Sequence, residues 1–398
     1  METLQIQDPR ERAIVRAADA GLTVASVLLK PFASRPAASS GKPRILLLRL
    51  ERIGDLVMAL EAIRDVRSLA PDARIDLVVG SWNAPLAAAI PSVDQVTSLD
   101  ARWLAREGEG LAMPGLLRTA WGWRSARYSL AINFEPDIRS NLLLAAAGAA
   151  RTAGWSSGGG SPLLDVALEY DVTAHTTTNA RRLVHSVFGG PAPASARPLL
   201  VIPDSAAAAA AGILRPVLGQ LLVGIHVSGG RPIKQWSPER FAEVAARLAD
   251  TRGAVIVATG SPADRGLIAA LQAAIAPRLL IDASAADGLL VSAAILQRLA
   301  LVVTGDTGPM HLASAVGTPV VAVFGPSEPL RYATSGPFDR VVRLDLPCSP
   351  CNRIRQPPAR CLGHTPDCLA GVTTDAVLAA AIAVLDESVS RMPRSGRS

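Results

Sequence analysis

In the stretch Val302-Val303-Thr304-Gly305-Asp306-Thr307-Gly308-Pro309-Met310-His311, a carboxylate, a hydroxyl and an imidazole follow an apolar run. If the run is a strand and a helix opens near Pro309, free N–H groups and the positive end of the helix dipole face the turn. Such a turn suits a phosphate, with Asp306, Thr307, Gly308 and His311 within reach. A tight turn that caps its helix and binds nothing is the competing reading, and His311 reads equally as a buried, helix-orienting histidine. The segment continues through Thr318–Val323 to Phe324-Gly325-Pro326-Ser327, completing a βαβ unit. Ligands bind at the carboxyl ends of such strands.

Two other apolar runs end in similar chemistry. Gly224-Ile225-His226-Val227-Ser228-Gly229-Gly230 leads to Lys234-Gln235-Trp236 and a helix start at Ser237-Pro238-Glu239. Thr259-Gly260-Ser261-Pro262-Ala263-Asp264 ends the next run. Small residues let backbone amides approach a phosphate, and Lys234 supplies a mobile positive charge. A bond of that kind contributes roughly 1.5–3 kcal/mol. Together the strand ends favour a nucleotide-diphosphate site formed by His226, Ser228, Gly229, Gly230, Lys234, Trp236, Thr259, Gly260 and Asp306. Near the amino end, Ile45–Leu50 precedes Glu51-Arg52-Ile53-Gly54-Asp55, with one glycine and no G-x-G-x-x-G fingerprint, which disfavours a nicotinamide cofactor. Asp55 reads either as a helix cap or as a general base.

All four cysteines fall together, as Cys348-x2-Cys351-x9-Cys361-x6-Cys368. Four thiolates at this spacing suit a tetrahedral zinc or iron; reduced free thiols and disulfides are the other readings. His364 lies among them and adds little.

These residues require elements to position them. Strands are expected at Ile45–Leu50, Arg74–Val79, Ser129–Phe134, Leu199–Ile202, Leu221–Val227, Ala254–Thr259, Arg278–Ile281, Leu301–Thr304 and Val320–Phe324. Helices are expected between them, with a Gly/Ser loop at Trp155–Ser161 and a helical connection at Pro203–Gly219. This alternation implies an α/β chain with parallel sheets, in two Rossmann-like domains facing an interdomain cleft. The expected division is an amphipathic extension and linker at 1–42 and domains at 43–205 and 217–372. A C-terminal helix at 373–390, which could cross back onto the first domain, and a basic tail at 391–398 complete it. Ala13–Leu29 forms an apolar helical stripe suited to a membrane interface, to docking on the domain or to a second subunit. Phe32–Lys42 reads as a linker.

At 398 residues, two domains are the natural expectation. A 49% apolar and 19% charged composition marks a globular chain, and 4% aromatics disfavours single-stranded nucleic-acid binding. The formal charge of +6 suits anionic partners or ordinary solvated arginines alike. No apolar run is long enough to span a membrane, and the acidic amino end disfavours a signal peptide.

Taken together, the motifs resemble the ADP-heptose:lipopolysaccharide heptosyltransferases of glycosyltransferase family 9. The resemblance runs from about Arg44 to Leu385. It rests on Arg52-Ile53-Gly54-Asp55, on Lys234, Trp236 and Pro238, on Gly305–His311, and on Gly317-Thr318-Pro319 with Phe324-Gly325-Pro326. It implies a GT-B fold, with acceptor bound by the first domain, Arg52 and Gly54 included, and sugar nucleotide by the second. It also implies inverting transfer without a catalytic metal, Asp55 as base, and Lys234 with the Asp306–Gly308 helix start on the diphosphate. Asp306 itself would face sugar hydroxyls or the anomeric centre. The implied donor is ADP-heptose, and the acceptor a lipid-linked lipopolysaccharide core. A cytoplasmic enzyme peripheral on the inner membrane, with no nucleic-acid partner, would follow. Val227-Ser228 stands where the family usually has Pro-Gly, and Leu60-Glu61 where many members have Thr-Pro or Ser-Pro. Autotransporter heptosyltransferases, relatives with a cysteine-rich metal finger, suggest protein O-heptosylation as an alternative. A catalytically silent sugar-nucleotide scaffold is a further one.

Overall fold

The computed structural model describes residues 4–6, 8–29, 41–105, 109–191, 194, 199–284 and 286–391. The expected linker, apart from Gly41 and Lys42, and the basic tail beyond Arg391 lie outside the described residues. The chain forms two compact units, Met1–Ala196 and Arg197–Ser398.

The first unit holds β1 (Arg44–Arg49), β2 (Arg74–Val79), β3 (Gln95–Ser98), β4 (Leu130–Asn133), β5 (Thr152–Trp155) and β6 (Val166–Leu168). They pair in the order β3-β2-β1-β4-β5-β6, all parallel. Ile45, Leu46, Leu47 and Leu48 are all buried, as a strand covered by helices on both faces requires. Each such side chain stabilises the fold by about 1.5–3 kcal/mol.

The second unit repeats the plan with β7 (Leu222–His226), β8 (Val255–Ala258), β9 (Leu280–Asp282), β10 (Leu301–Gly305), β11 (Val320–Phe324) and β12 (Arg340–Arg343). Their order is β12-β11-β10-β7-β8-β9, again parallel throughout. Two Rossmann-like units with interleaved helices make the expected GT-B class of fold. In each sheet the winding reverses between a first and a fourth strand, β1 and β4 or β7 and β10. Crevices open at the carboxyl ends of such strand pairs.

Leu199–Ile202 forms no strand, contrary to expectation. Leu199 donates its N–H to the Ala315 carbonyl, Leu200 is buried and Val201 exposed, so the run anchors a connection without pairing. Helix Thr374–Arg391 packs within the second unit, against helix Pro238–Arg252 and strands β10 to β12. Val377, Leu378, Ala381, Val384 and Leu385 enter that unit's core. Ion pairs Arg247–Asp375, Arg252–Asp386 and Arg340–Glu387 flank them.

Helix Pro9–Leu29 docks on the first unit through Val15, which is buried against Gly159, and through Asp19, which accepts the Gly160 N–H at 2.6 Å. A side chain at Gly159 would collide with Val15, and its φ of +89° also favours glycine. No helix among the described residues is long and apolar enough to cross a membrane.

Candidate active site

At the β1/β4 crevice, β1 runs into the turn Leu50–Arg52 and helix Ile53–Leu69 begins. Asp55 sits at the third helical position and caps the turn, one oxygen accepting the Arg52 N–H at 3.1 Å. The N-cap itself is Arg52, so Asp55 is not the N-cap that one reading expected, but the third-position partner that accepts the N-cap N–H. Its other oxygen lies 3.4 Å from Arg49 Nη2. Arg49 is buried, donating to the Phe134 carbonyl at 2.7 Å and the Asp55 carbonyl at 3.1 Å, and pairing with Glu51 at 3.1 Å. Glu135, only 2% exposed, accepts N–H bonds from Leu50 and Glu51 and a hydroxyl bond from Ser140 at 2.5 Å. The turn carrying Asp55 is thus gripped from the end of β4.

Charge is crowded here. Burial pushes the Glu51 carboxyl up to about 8, the Asp55 charge adds to the push, and Arg49 opposes it. Burial also raises Glu135, against Arg49 and the donors from Ser140 and Leu50. Arg52 reaches the Leu104 carbonyl at 2.6 Å and lies over the Trp82 ring, 5.2 Å from its centroid. Trp82 and Asn83 both donate to the Glu51 carbonyl. Gly54 is buried in the helix's first turn. Arg49, Glu51 and Glu135 were not among the expected site residues. The available signal was an acid following each of two strands that adjoin at a switch point.

At the β7/β10 crevice, Lys234 Nζ lies 2.7 Å from Asp306 Oδ2, with 19% and 11% of the two side chains exposed. Lys234 is therefore held, not mobile. Asp306 follows β10, and Thr307 caps helix Gly308–Ala315, which has Pro309 in its first turn as expected. The Thr307 hydroxyl meets that of Thr304 at 3.1 Å and leaves the helix N–H groups uncapped by a side chain. His311 is buried one turn in.

The loop after β7 is shaped by Gln235, also not foreseen. Its amide donates to the Val227 and Trp236 carbonyls and accepts from the Gly229 N–H. A Cβ at Gly229 would lie 2.7 Å from Gln235 Cα, so backbone contact demands glycine there. The Ser228 hydroxyl accepts weakly from the Gly230 N–H at 3.4 Å. Burial lowers the His226 pKa, so the ring is neutral near pH 7. Its Nδ1 donates to the Thr259 carbonyl at 2.9 Å, since a carbonyl can only accept. Gly260 lies close under Asp264 and Ile268. Trp236 is 1% exposed, stacks edge-on against Phe241 and donates to the Val372 carbonyl. Its ring belongs to the core and supports the loop from beneath.

Cys348, Cys351, Cys361 and Cys368 line one cavity together with Ile233 and Pro326. All four are free thiols. Burial raises the Cys368 thiol, the Ser349 hydroxyl offsets part of this, and the other three cysteines push it further up. Among the described residues no three His, Cys, Asp or Glu side chains are placed to hold one metal ion. Both ring nitrogens of His364 face carbonyls, those of Thr365 and Arg360. The segment is tied to the loop after β11 through the Cys351 and Asn352 N–H groups on the Pro326 carbonyl.

A model described as "Glycosyltransferase family 9 (heptosyltransferase)" matches residues 117–360. Lipopolysaccharide heptosyltransferase 1 of Pseudomonas aeruginosa is 27% identical over 319 residues, 77% of this chain and 86% of that protein. A crystal structure of a family 9 glycosyltransferase from Veillonella parvula superposes with a TM-score of 0.76. Its identity is 22%, covering 88% of this chain and 99% of that one. The structure of Escherichia coli ADP-heptose lipopolysaccharide heptosyltransferase II gives a TM-score of 0.68 at 22% identity, over 87% and 99%. With the family pattern spanning the β7 loop, the Lys234 turn and the Asp306 helix start, the chain belongs to glycosyltransferase family 9 and is a glycosyltransferase.

Proposed function

We propose that this enzyme transfers heptose from ADP-heptose to a lipopolysaccharide core acceptor with inversion at the anomeric carbon. The observation that carries the reading is the half-buried Lys234–Asp306 ion pair beside an uncapped helix start, at the switch point of the second sheet. Free helix N–H groups and a lysine suit a diphosphate. A relative whose name includes ADP-heptose shares this fold.

In the proposed step the acceptor hydroxyl attacks the anomeric carbon from the face opposite the diphosphate. Asp55 takes its proton as the new C–O bond forms. The bond to phosphate breaks, and the charge on departing ADP is stabilised by Lys234 and the N–H groups at Gly308. Asp306 orients Lys234 and the sugar hydroxyls. His226, Ser228, Gly229, Gly230, Thr259 and Gly260 line the donor side, and Arg52 and Gly54 the acceptor side.

A lipid acceptor places the reaction at a membrane, so a peripheral cytoplasmic enzyme is part of the same proposal. Helix Pro9–Leu29 supports it with exposed Ile14 (70%) and Val24 (59%), and with exposed Arg10 and Arg16. Co-sedimentation with anionic but not neutral vesicles is expected, and equal recovery with both counts against it.

A structural zinc or iron at the four cysteines is a separate proposal, supported by their shared cavity. Binding would require the thiols to draw within about 2.3 Å of one point, closer than they stand here. Metal analysis of the purified full-length protein decides between about one ion per chain and almost none.

The donor reading is tested by thermal-shift titration with ADP, UDP, GDP and dTDP, followed by an ADP-heptose transfer assay. Selective stabilisation by ADP, about 2.7 kcal/mol at a hundredfold excess over Kd, is expected. Preference for another nucleotide overturns the donor, and no response to any of them overturns the site.

A further inference from the structure

Helix Pro9–Leu29 stands ahead of every family motif, the first of which is Arg52-Ile53-Gly54-Asp55. It nonetheless grips the first unit at one place. Asp19 accepts the Gly160 N–H at 2.6 Å, and Val15 fills the space beside Gly159. Just before the helix, the Gln5 N–H donates to the Ser157 carbonyl at 2.9 Å. All three contacts fall on the loop that leaves β5 at the carboxyl end of the parallel sheet, the end at which Asp55 also lies. Arg12, Val15, Asp19 and Leu22 are the less exposed side of the helix, while Ile14, Ala17, Gly21 and Val24 stand in solvent. A helix that merely covered apolar surface would bury a stripe of hydrophobic side chains. Among the helix side chains described, Val15 alone is buried, and the contacts around it are hydrogen bonds to one loop.

From that loop, two routes lead to the turn that carries Asp55. In the first, the Gly158 carbonyl accepts the Ile138 N–H at 3.1 Å. Gly158 is pressed so close to Pro136 that a Cβ would lie 2.0 Å from the Pro136 carbonyl oxygen. The residue before Pro136 is Glu135, whose carboxylate holds the Leu50 and Glu51 N–H groups. In the second, the Ser157 hydroxyl accepts the Tyr170 N–H at 3.0 Å, and the Gln5 side chain donates to the Tyr170 carbonyl at 2.6 Å. The Tyr170 ring meets Trp155 edge-on, with centroids 5.0 Å apart. Trp155 and Arg49 donate to the same Phe134 carbonyl, at 3.2 and 2.7 Å, and Arg49 lies 3.4 Å from the Asp55 carboxylate. Glu135, Trp155, Tyr170 and Arg49 are all buried. A close-packed interior of this kind transmits a displacement instead of absorbing it.

We propose that helix Pro9–Leu29 is a positioning element for the transfer, and that Asp19 is the residue through which it steadies the turn carrying Asp55. The inference rests on Asp55 as the base of the proposed transfer. With Asp19 on Gly160, the loop after β5 stays against Pro136, and Glu135 keeps its hold on Leu50 and Glu51. With the helix undocked, the loop loses its outer support and the turn samples positions from which Asp55 misses the acceptor hydroxyl. A misplacement of about 1 Å can cost about 10²-fold in rate. Nucleotide binding, which the proposed function assigns to the second unit, is left as it was.

The test compares full-length wild type with Asp19→Ala, Asp19→Asn and Val15→Asp. Asparagine keeps an oxygen for the Gly160 N–H, whereas aspartate at position 15 sets a charge in the buried contact and undocks the helix. Amide hydrogen exchange is read by mass spectrometry on peptides covering residues 156–160 and 50–55. Both segments are expected to exchange about tenfold faster in Asp19→Ala and Val15→Asp, and at the wild-type rate in Asp19→Asn. In an ADP-heptose transfer assay, kcat should fall at least about tenfold in the two undocked variants and recover in Asp19→Asn. The ADP dissociation constant should change less than about twofold in all three. The proposal is overturned if residues 156–160 loosen while 50–55 stay protected, if the turn loosens without loss of kcat, or if no variant loosens either segment. Should Val15→Asp not fold, Asp19→Ala against Asp19→Asn carries the comparison. Exchange needs no substrate. A turn that loosens in the variants of a protein that transfers no sugar would sink the proposed function and leave the grip of the helix standing.

Discussion

Lys234 and Asp306, 72 residues apart in the chain, meet at 2.7 Å where β7 and β10 part. The contact joins the loop after one strand to the turn after the other. Only 19% of the lysine and 11% of the aspartate side chain are exposed, so each is the other's main counter-charge. Removing either leaves an uncompensated charge, which costs about 3 kcal/mol or more.

Lys234→Ala is accordingly expected to lower unfolding free energy by roughly 3 kcal/mol and to weaken ADP binding. Adding Asp306→Ala should recover much of the stability but none of the binding, a coupling that urea melts of the double-mutant cycle would measure. Simple additivity of the two losses would show that the pair contributes nothing as a pair.

Asp55→Asn keeps an oxygen that can accept the Arg52 N–H, so the helix start should survive. Loss of a general base lowers turnover by about 10²–10⁴. Transfer is expected to fall by that amount while the ADP dissociation constant changes less than about twofold. Calorimetry and a transfer assay on the same preparation suffice, and parallel loss of both would remove Asp55 from the role of base.

Glu51 links the same site to stability. Its folded carboxyl titrates near 8 against an ordinary 4.5. Between those values the unfolded chain has lost a proton that the folded chain keeps. The group's contribution is therefore full below pH 4.5 and disappears as pH rises to 8. Glu51→Gln has no proton to lose. Its melting temperature relative to wild type should climb from about pH 5 to about pH 8.5. A gap that stays constant across that range contradicts the raised carboxyl.

Gly229→Ala introduces a Cβ 2.7 Å from Gln235 Cα and 2.8 Å from its nitrogen. Backbone must move, and the loop after β7 with it. ADP affinity should drop at least about tenfold, or 1.4 kcal/mol. Gly212→Ala, in helix Asp204–Leu214 with nothing within 4 Å of the new methyl, is the matched control. It should gain about 0.5–1 kcal/mol of stability and leave binding alone. Unchanged affinity in Gly229→Ala would place the nucleotide elsewhere.

The inner strands were legible because burial on both faces writes an uninterrupted apolar run, as in Ile45–Leu50 and Val320–Phe324. Of the four edge strands, only Leu280–Asp282 was. Gln95–Ser98, Val166–Leu168 and Arg340–Arg343 are short and half-exposed; the first and last carry polar residues that break the pattern, and the second is only three residues long. Thr152–Trp155 escaped notice because it is only four residues long and runs directly into the glycine loop. Leu199–Ile202 erred the other way, its apolar residues marking a buried anchor and not a pairing partner. At the candidate site, motifs contiguous in sequence were readable: Ile53-Gly54-Asp55, Lys234 and Gly305–His311. Glu135 was not, since its role is defined by backbone groups 85 and 84 residues away. Gln235 was passed over between two more conspicuous neighbours, because what it does is visible only from the carbonyls it reaches.

Helix Thr374–Arg391 is the last element described, and Val377, Ala381 and Val384 lie at the heart of the second unit. Domains tend to fold in the order they are synthesised. The half with Asp55 contains all its strands by Leu168 and can consolidate while the rest is still being translated. The half with Lys234 and Asp306 must wait for its final helix to leave the ribosome. Until then its sheet exposes an apolar face to every other chain nearby, so chaperone demand during synthesis should concentrate on that late interval.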